Sequence, residues 1–146
     1  MAFNREAALV QELTGDKELL SARLNGLQSA AGTRMDLGLS VAYDELVGPR
    51  AVPGNTRAVV LLTDGVSEIE DQFVLDQAAR VKPEVARLFV IGLGSAADLN
   101  FGLLRAVASS PGDFFEAPDP EQLSVIYSEV ARTITCANLD WPGRQP

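Results

Sequence analysis

Apolar and polar positions divide the chain into two kinds of segment. The first kind is unbroken: Ala58-Val59-Val60-Leu61-Leu62 between Arg57 and Thr63-Asp64-Gly65, and Leu88-Phe89-Val90-Ile91 ahead of Gly92-Leu93-Gly94. Large aliphatics in a row, with no polar alternation, suit strands covered on both faces, as in the middle of a parallel sheet. Val59 and Val60 are β-branched, and Pro53-Gly54-Asn55 and Gly65 bound the first run, so strand is favoured over helix. Phe114-Phe115-Glu116-Ala117 predicts a third short strand, and the mixed run Ala7 to Leu13 an edge strand.

The second kind has helical spacing. Asp16 is a good N-cap, and Leu19, Leu20, Leu24 and Leu27 predict an amphipathic helix to about Gln28. After the polar break Gly32-Thr33-Arg34-Met35-Asp36, the residues Leu37, Leu39, Val41, Ala42, Tyr43, Leu46 and Val47 predict a second helix ending at Gly48-Pro49. Gln72 to Val81, with Phe73, Val74, Leu75, Ala78 and Ala79, predicts a third, closed by Lys82-Pro83. Asp98 is placed to cap a fourth, which buries Phe101, Leu103, Leu104, Val107 and Ala108. Pro118-Asp119-Pro120-Glu121 opens a fifth through Leu123, Val125, Ile126, Tyr127, Val130, Ala131 and Ile134. From Arg57 onward strand and helix alternate. That order predicts an α/β fold of Rossmann-like type: a mostly parallel sheet with helices on both faces, joined by right-handed crossovers. Residues 1–136 are expected to form one domain and 137–146, with Trp141-Pro142-Gly143, a tail or linker.

The 146 residues suffice for one domain with a real core, and 47% apolar and 22% charged residues exclude wholesale disorder. A net charge of −8 disfavours nucleic acid and anionic membrane as partners and favours a cation. There is no run long enough to cross a membrane and no signal peptide in the sequence given, which reads as cytoplasmic as written. The single Cys136 has no partner for an internal disulfide. With no histidine, Ser-His-Asp and Cys-His catalysis and imidazole metal sites fall away.

Asp64 is the first candidate for chemistry, because it stands where the chain leaves the sheet, and that carboxyl rim is where open α/β sheets bind ligands. It is equally placed to cap the following turn, as Asp before Gly often does. Thr33 has two readings as well, a ligand or the N-cap of a capping box with Asp36. Glu68, Glu70 and Asp71 read as a solvated helix start and Ser67 as part of the turn. Gly92-Leu93-Gly94-Ser95-Ala96-Ala97 matches the dinucleotide fingerprint G-x-G-x-x-A, with Glu116 about 20 residues on, but it comes late in the order of elements. A phosphate-accepting aspartate needs a late lysine, and the lysines are Lys17 and Lys82. No P-loop is present.

Gly32-Thr33 with Asp36 and Gly38, then Thr63-Asp64-Gly65, then Phe89 to Gly94, then Phe114 to Ala117 together resemble a von Willebrand factor A domain, also called an integrin I domain, of bacterial type. The resemblance covers roughly Ala2 to Thr135. It implies a divalent cation, usually Mg2+ with Mn2+ or Ca2+ as alternatives, at the carboxyl rim in a metal-ion-dependent adhesion site. It further implies that Thr33 and Asp64 are metal ligands, and that a protein partner supplies an acidic side chain to the cation. The implied function is a non-enzymatic adhesion-type module, in a family often found outside the cell or at its surface. The alternatives are a nucleotide-binding enzyme using Gly92 to Ala97, and a structural fragment that completes its sheet with another chain.

The family's Asp-x-Ser-x-Ser segment has no counterpart here, since no Asp is followed by Ser at both the second and fourth positions. Met1 to Asn4 resembles the tail of the family's second strand. The expectation is therefore an N-terminally truncated domain that lacks its first strand, binds its cation weakly, and either forms a homodimer through the sheet edge thereby exposed or is poorly soluble.

Overall fold

The computed structural model describes residues 1–95, 97 and 99–137. Three parallel strands form its sheet in the order β3-β4-β5: β3 is Ala58–Thr63, β4 Arg87–Leu93 and β5 Phe114–Ala117, following β1 (Ala2–Phe3) and β2 (Ala7–Ala8). Ala58 pairs with Arg87 and Thr63 with Gly92, while Val90 pairs with Phe114 and Leu93 with Ala117. The helices are α1 (Lys17–Asn25), α2 (Met35–Val47), α3 (Asp71–Val81), α4 (Phe101–Val107) and α5 (Leu123–Ala137).

Alternation along the strands sorts the core into two layers. Val59 and Leu61 of β3 and Leu88 and Val90 of β4 face one side, where α2, α3 and α4 cover them with Met35, Leu39, Val74, Ala78, Leu103, Leu104 and Val107. Phe89 and Ile91 face the other side and meet Ala117 and the Ile126 and Val130 of α5. Helices thus lie on both faces, as a parallel sheet requires, because each face is apolar and must be covered.

Among the described residues only β4 pairs with β3, whose other edge is unpaired as expected, and Leu62 is 37% exposed. Other expectations are corrected. The edge strand expected from Ala7 to Leu13 is two residues long and pairs antiparallel with β1 in a separate ribbon. α1 forms where expected, with the Asp16 carboxylate accepting the Leu19 N–H at 2.9 Å. Its leucines nevertheless join no core: no α1 residue is buried, and Leu24 is 66% exposed. Phe73 likewise turns outward from α3. Met35 and Asp36, read as part of a polar break, are buried in the first turn of α2. The side chain of Asn100 caps α4 by accepting the Leu103 N–H at 3.0 Å, and Asp98, expected in that role, lies outside the described residues, as does 138–146.

Candidate functional site

The carboxyl rim of β3 is built by three neighbouring turns. Gly32 has φ +109°, and a Cβ there would come 2.7 Å from the backbone nitrogen of Arg5, so only glycine lets the chain turn against the β1–β2 ribbon. The Arg34 N–H then donates to the Asn4 carbonyl at 2.7 Å, and the Glu68 N–H to the Thr33 carbonyl at 3.3 Å. Thr33 is held by its backbone between the ribbon and the turn that follows β3.

This places the Thr33 hydroxyl against Gly65, the residue after Asp64. A Cβ on Gly65 would lie 2.7 Å from Thr33 Oγ1. Contact that close requires glycine at the position and seats the hydroxyl beside the Thr63-Asp64-Gly65 turn. The two residues singled out in the sequence therefore sit on adjoining turns at one end of the sheet. Asp64 is exposed, and among the described residues no hydrogen bond or ion pair engages its carboxylate or the Thr33 hydroxyl.

The capping-box reading of Thr33 is not realised. The residue at the N-cap of α2 is Arg34, and no side chain caps that terminus. Asp36 is instead gripped by the Arg34 guanidinium, Nε to Oδ1 at 2.8 Å and Nη2 to Oδ2 at 2.7 Å. Those hydrogen bonds, against the opposing effect of burial, hold its carboxyl below the ordinary value. Both Asp36 oxygens are thereby committed to Arg34.

The sequence predicts Ser67 only as part of the turn. Its Oγ is buried and meets no hydrogen-bond partner among the described residues, one position before the Glu68 amide that holds Thr33. A buried hydroxyl is normally satisfied, by protein or by an ordered water. No sequence signal separates such a serine from a turn-former. Among the described residues no three acidic, histidine or cysteine side chains converge, so the rim offers few oxygens of its own.

The glycines of the dinucleotide-like stretch have other work. A Cβ on Gly92 would lie 3.0 Å from Leu99 Cδ1 and 3.1 Å from Leu104 Cδ1, so its bareness admits core leucines. The Gly94 N–H donates to the Ala117 carbonyl at 2.9 Å, and the start of α4 is taken by Asn100. An open cleft of about 480 Å3 lies at the opposite, amino end of β3, lined by Leu13, Leu46, Arg50, Val52 and Arg57 among others. It adjoins none of the rim residues.

A parallel α/β sheet with helices on both faces and an oxygen-bearing carboxyl rim defines a class that binds ligands at that rim. The chain belongs to the von Willebrand factor type A domain family, which residues 1–129 match. Domains of that family are typically protein-interaction modules, commonly with a divalent cation at a metal-ion-dependent adhesion site. A search of curated proteins finds no match.

Among solved structures the chain is similar to proximal thread matrix protein 1 from the mussel byssus, whose metal-ion-dependent adhesion site holds zinc. Identity is 24% and the TM-score 0.74, over 92% of this chain and 33% of that one. It is also similar to the conserved hypothetical protein BatB from Bacteroides thetaiotaomicron, at 14% identity and TM-score 0.66, over 91% of this chain and 76% of that one. The chain thus spans about a third of the mussel protein's length, and these likenesses are of fold. No described helix is long and apolar enough to cross a membrane.

Proposed function

We propose that this domain is a non-enzymatic protein-interaction module that captures a partner's carboxylate through a divalent cation resting on Asp64 and Thr33. The observation that carries the proposal is the 2.7 Å approach that a Gly65 side chain would make to Thr33 Oγ1, which puts a hydroxyl and a carboxylate on adjoining turns of one rim. Both are hard oxygen donors, the class that magnesium, manganese and calcium take. The Ser67 hydroxyl, buried in the same turn without a partner among the described residues, fits a rim that holds an ion or its water. The zinc-bearing site of the mussel protein supports the same use of the fold.

The donor set fits such an ion in kind and falls short in number. Magnesium seeks six oxygens and gives up its water reluctantly, so two side chains leave most positions to water or to a partner. The affinity of the chain alone is expected in the millimolar range, on the order of 4 kcal/mol. That weakness suits a bridging role: on a chain of net charge −8, a carboxylate approaches only where a cation offsets the repulsion.

Calorimetric titration with an aspartate-containing peptide, in magnesium and again in chelator, tests the reading. Binding that requires the metal and disappears in Asp64→Asn supports it. Equal binding in chelator, or tight binding of NAD in its place, would contradict it.

A further inference from the structure

We infer that Arg5 gives the rim a second anion contact, so that the partner it fits presents two acidic groups close together, one for the cation and one for the Arg5 guanidinium. The inference rests on the reading of Asp64 and Thr33 as the seat of the cation, and adds the chemistry of what binds there.

The turn between β1 and β2 sets the position of Arg5. The Glu6 N–H donates to the Asn4 side-chain oxygen at 2.8 Å and the Asn4 N–H to the Glu6 carbonyl at 2.7 Å, which closes that turn around Arg5. It is docked on the turn bearing Thr33, because the Arg34 N–H reaches the Asn4 carbonyl and a Cβ on Gly32 would strike Arg5 Cγ. The aliphatic stem of Arg5 therefore crosses the bare face of Gly32, next to Thr33, and its Nε comes within 3.6 Å of Glu68 Oε2. Glu68 is the residue whose N–H holds the Thr33 carbonyl. Arg5 thus spans the Thr33 turn from the ribbon to the turn that follows β3.

The guanidinium is positioned but only loosely engaged. Its side chain is 72% exposed, and Glu68, itself 41% exposed, meets it at ion-pair distance without a hydrogen bond among the described residues. Exposed pairs of this kind contribute little and exchange readily. Arg34 differs, since its Nε and Nη2 are both taken by Asp36. A planar guanidinium holds a carboxylate best through two parallel N–H donors, so an incoming acid that docks in the Arg5 fork displaces Glu68 at little cost. On a chain of net charge −8, further negative charge on a ligand weakens binding unless a cation stands where that charge lands. Arg5 provides such a cation beside the Asp64 rim.

Calorimetric titration of the full chain in magnesium, with two peptides of equal length, tests the inference. One carries a single Asp. The other also has Glu two residues before and two residues after that Asp, which in an extended chain puts further carboxylates on the same side about 7 Å away. The three-acid peptide should bind at least severalfold more tightly. Arg5→Gln should abolish or reverse that preference. Glu68→Gln, which frees the guanidinium and keeps the backbone N–H on Thr33, should widen it, and decides the matter even if Arg5→Gln fails to fold. Equal or weaker binding of the three-acid peptide by the unaltered chain would overturn the inference and leave the cation reading standing. So would a preference that survives Arg5→Gln while both peptides weaken alike, which is the mark of a structural role for Arg5. Binding of neither peptide, or equal binding of both in chelator, would overturn the cation reading and this inference with it.

Discussion

A side chain on Gly65 would bring its Cβ to 2.7 Å from Thr33 Oγ1, so the turn after β3 and the turn before α2 are in contact at the carboxyl rim. The contact joins residues 32 positions apart in sequence and makes Thr33 a neighbour of Asp64 rather than a helix cap. The functional proposal rests on that adjacency.

Gly65→Ala should therefore separate the turns. Thr33 is stiff at χ1 and its carbonyl is bonded to the Glu68 amide, so it has little room to yield. The expected outcome is loss of metal-dependent carboxylate binding with a stability cost of about 1 kcal/mol, in the ordinary range for point changes. Paired calorimetry and denaturant titration check both parts.

The three parallel strands and the alternation of strand and helix from Arg57 onward were legible from the apolar runs, and β5 falls at Phe114–Ala117 as those residues predict. Other features were not. A run such as Ala58 to Leu62 reports apolar demand on both faces, and the pattern is the same whether a neighbouring strand and helix lie inside the chain or must come from elsewhere. The α1 leucines fail for the same reason: helical period names the apolar side and does not say what covers it. Thr33 and Asp64 were recognisable by motif, whereas the orphan Ser67 hydroxyl depends on burial, which no local pattern encodes.

The exposed α1 leucines give a second prediction. Leu24→Ala removes a side chain 66% exposed and should change stability by less than about 0.5 kcal/mol. Leu39→Ala empties a fully buried position of α2 and should cost about 2–5 kcal/mol. Denaturant midpoints compare the two. A costly Leu24→Ala would mean that α1 is covered in solution.

A third prediction concerns acid. Hydrogen bonds from Arg34 hold the Asp36 carboxyl below its ordinary 3.8, and hydrogen bonds from Arg50 hold the Glu45 carboxyl below its ordinary 4.5, each against the opposing effect of burial. The folded chain therefore binds these protons less readily than the unfolded one. Their contribution is complete above the ordinary values and is lost as pH falls through the lowered ones. Melting temperature should hold from about pH 7 to about pH 5 and decline below about pH 4. Asp36→Asn should flatten part of that decline.

The most direct measurement of the central claim is manganese titration followed by NMR, because a paramagnetic ion broadens nearby amides even when it binds weakly. With substoichiometric Mn2+, the signals of Thr33, Asp64, Gly65 and Ser67 should broaden first, recover on addition of excess Mg2+, and remain sharp in Asp64→Asn. Broadening that begins elsewhere, or that is the same in Asp64→Asn, would contradict the assignment of the cation to this rim.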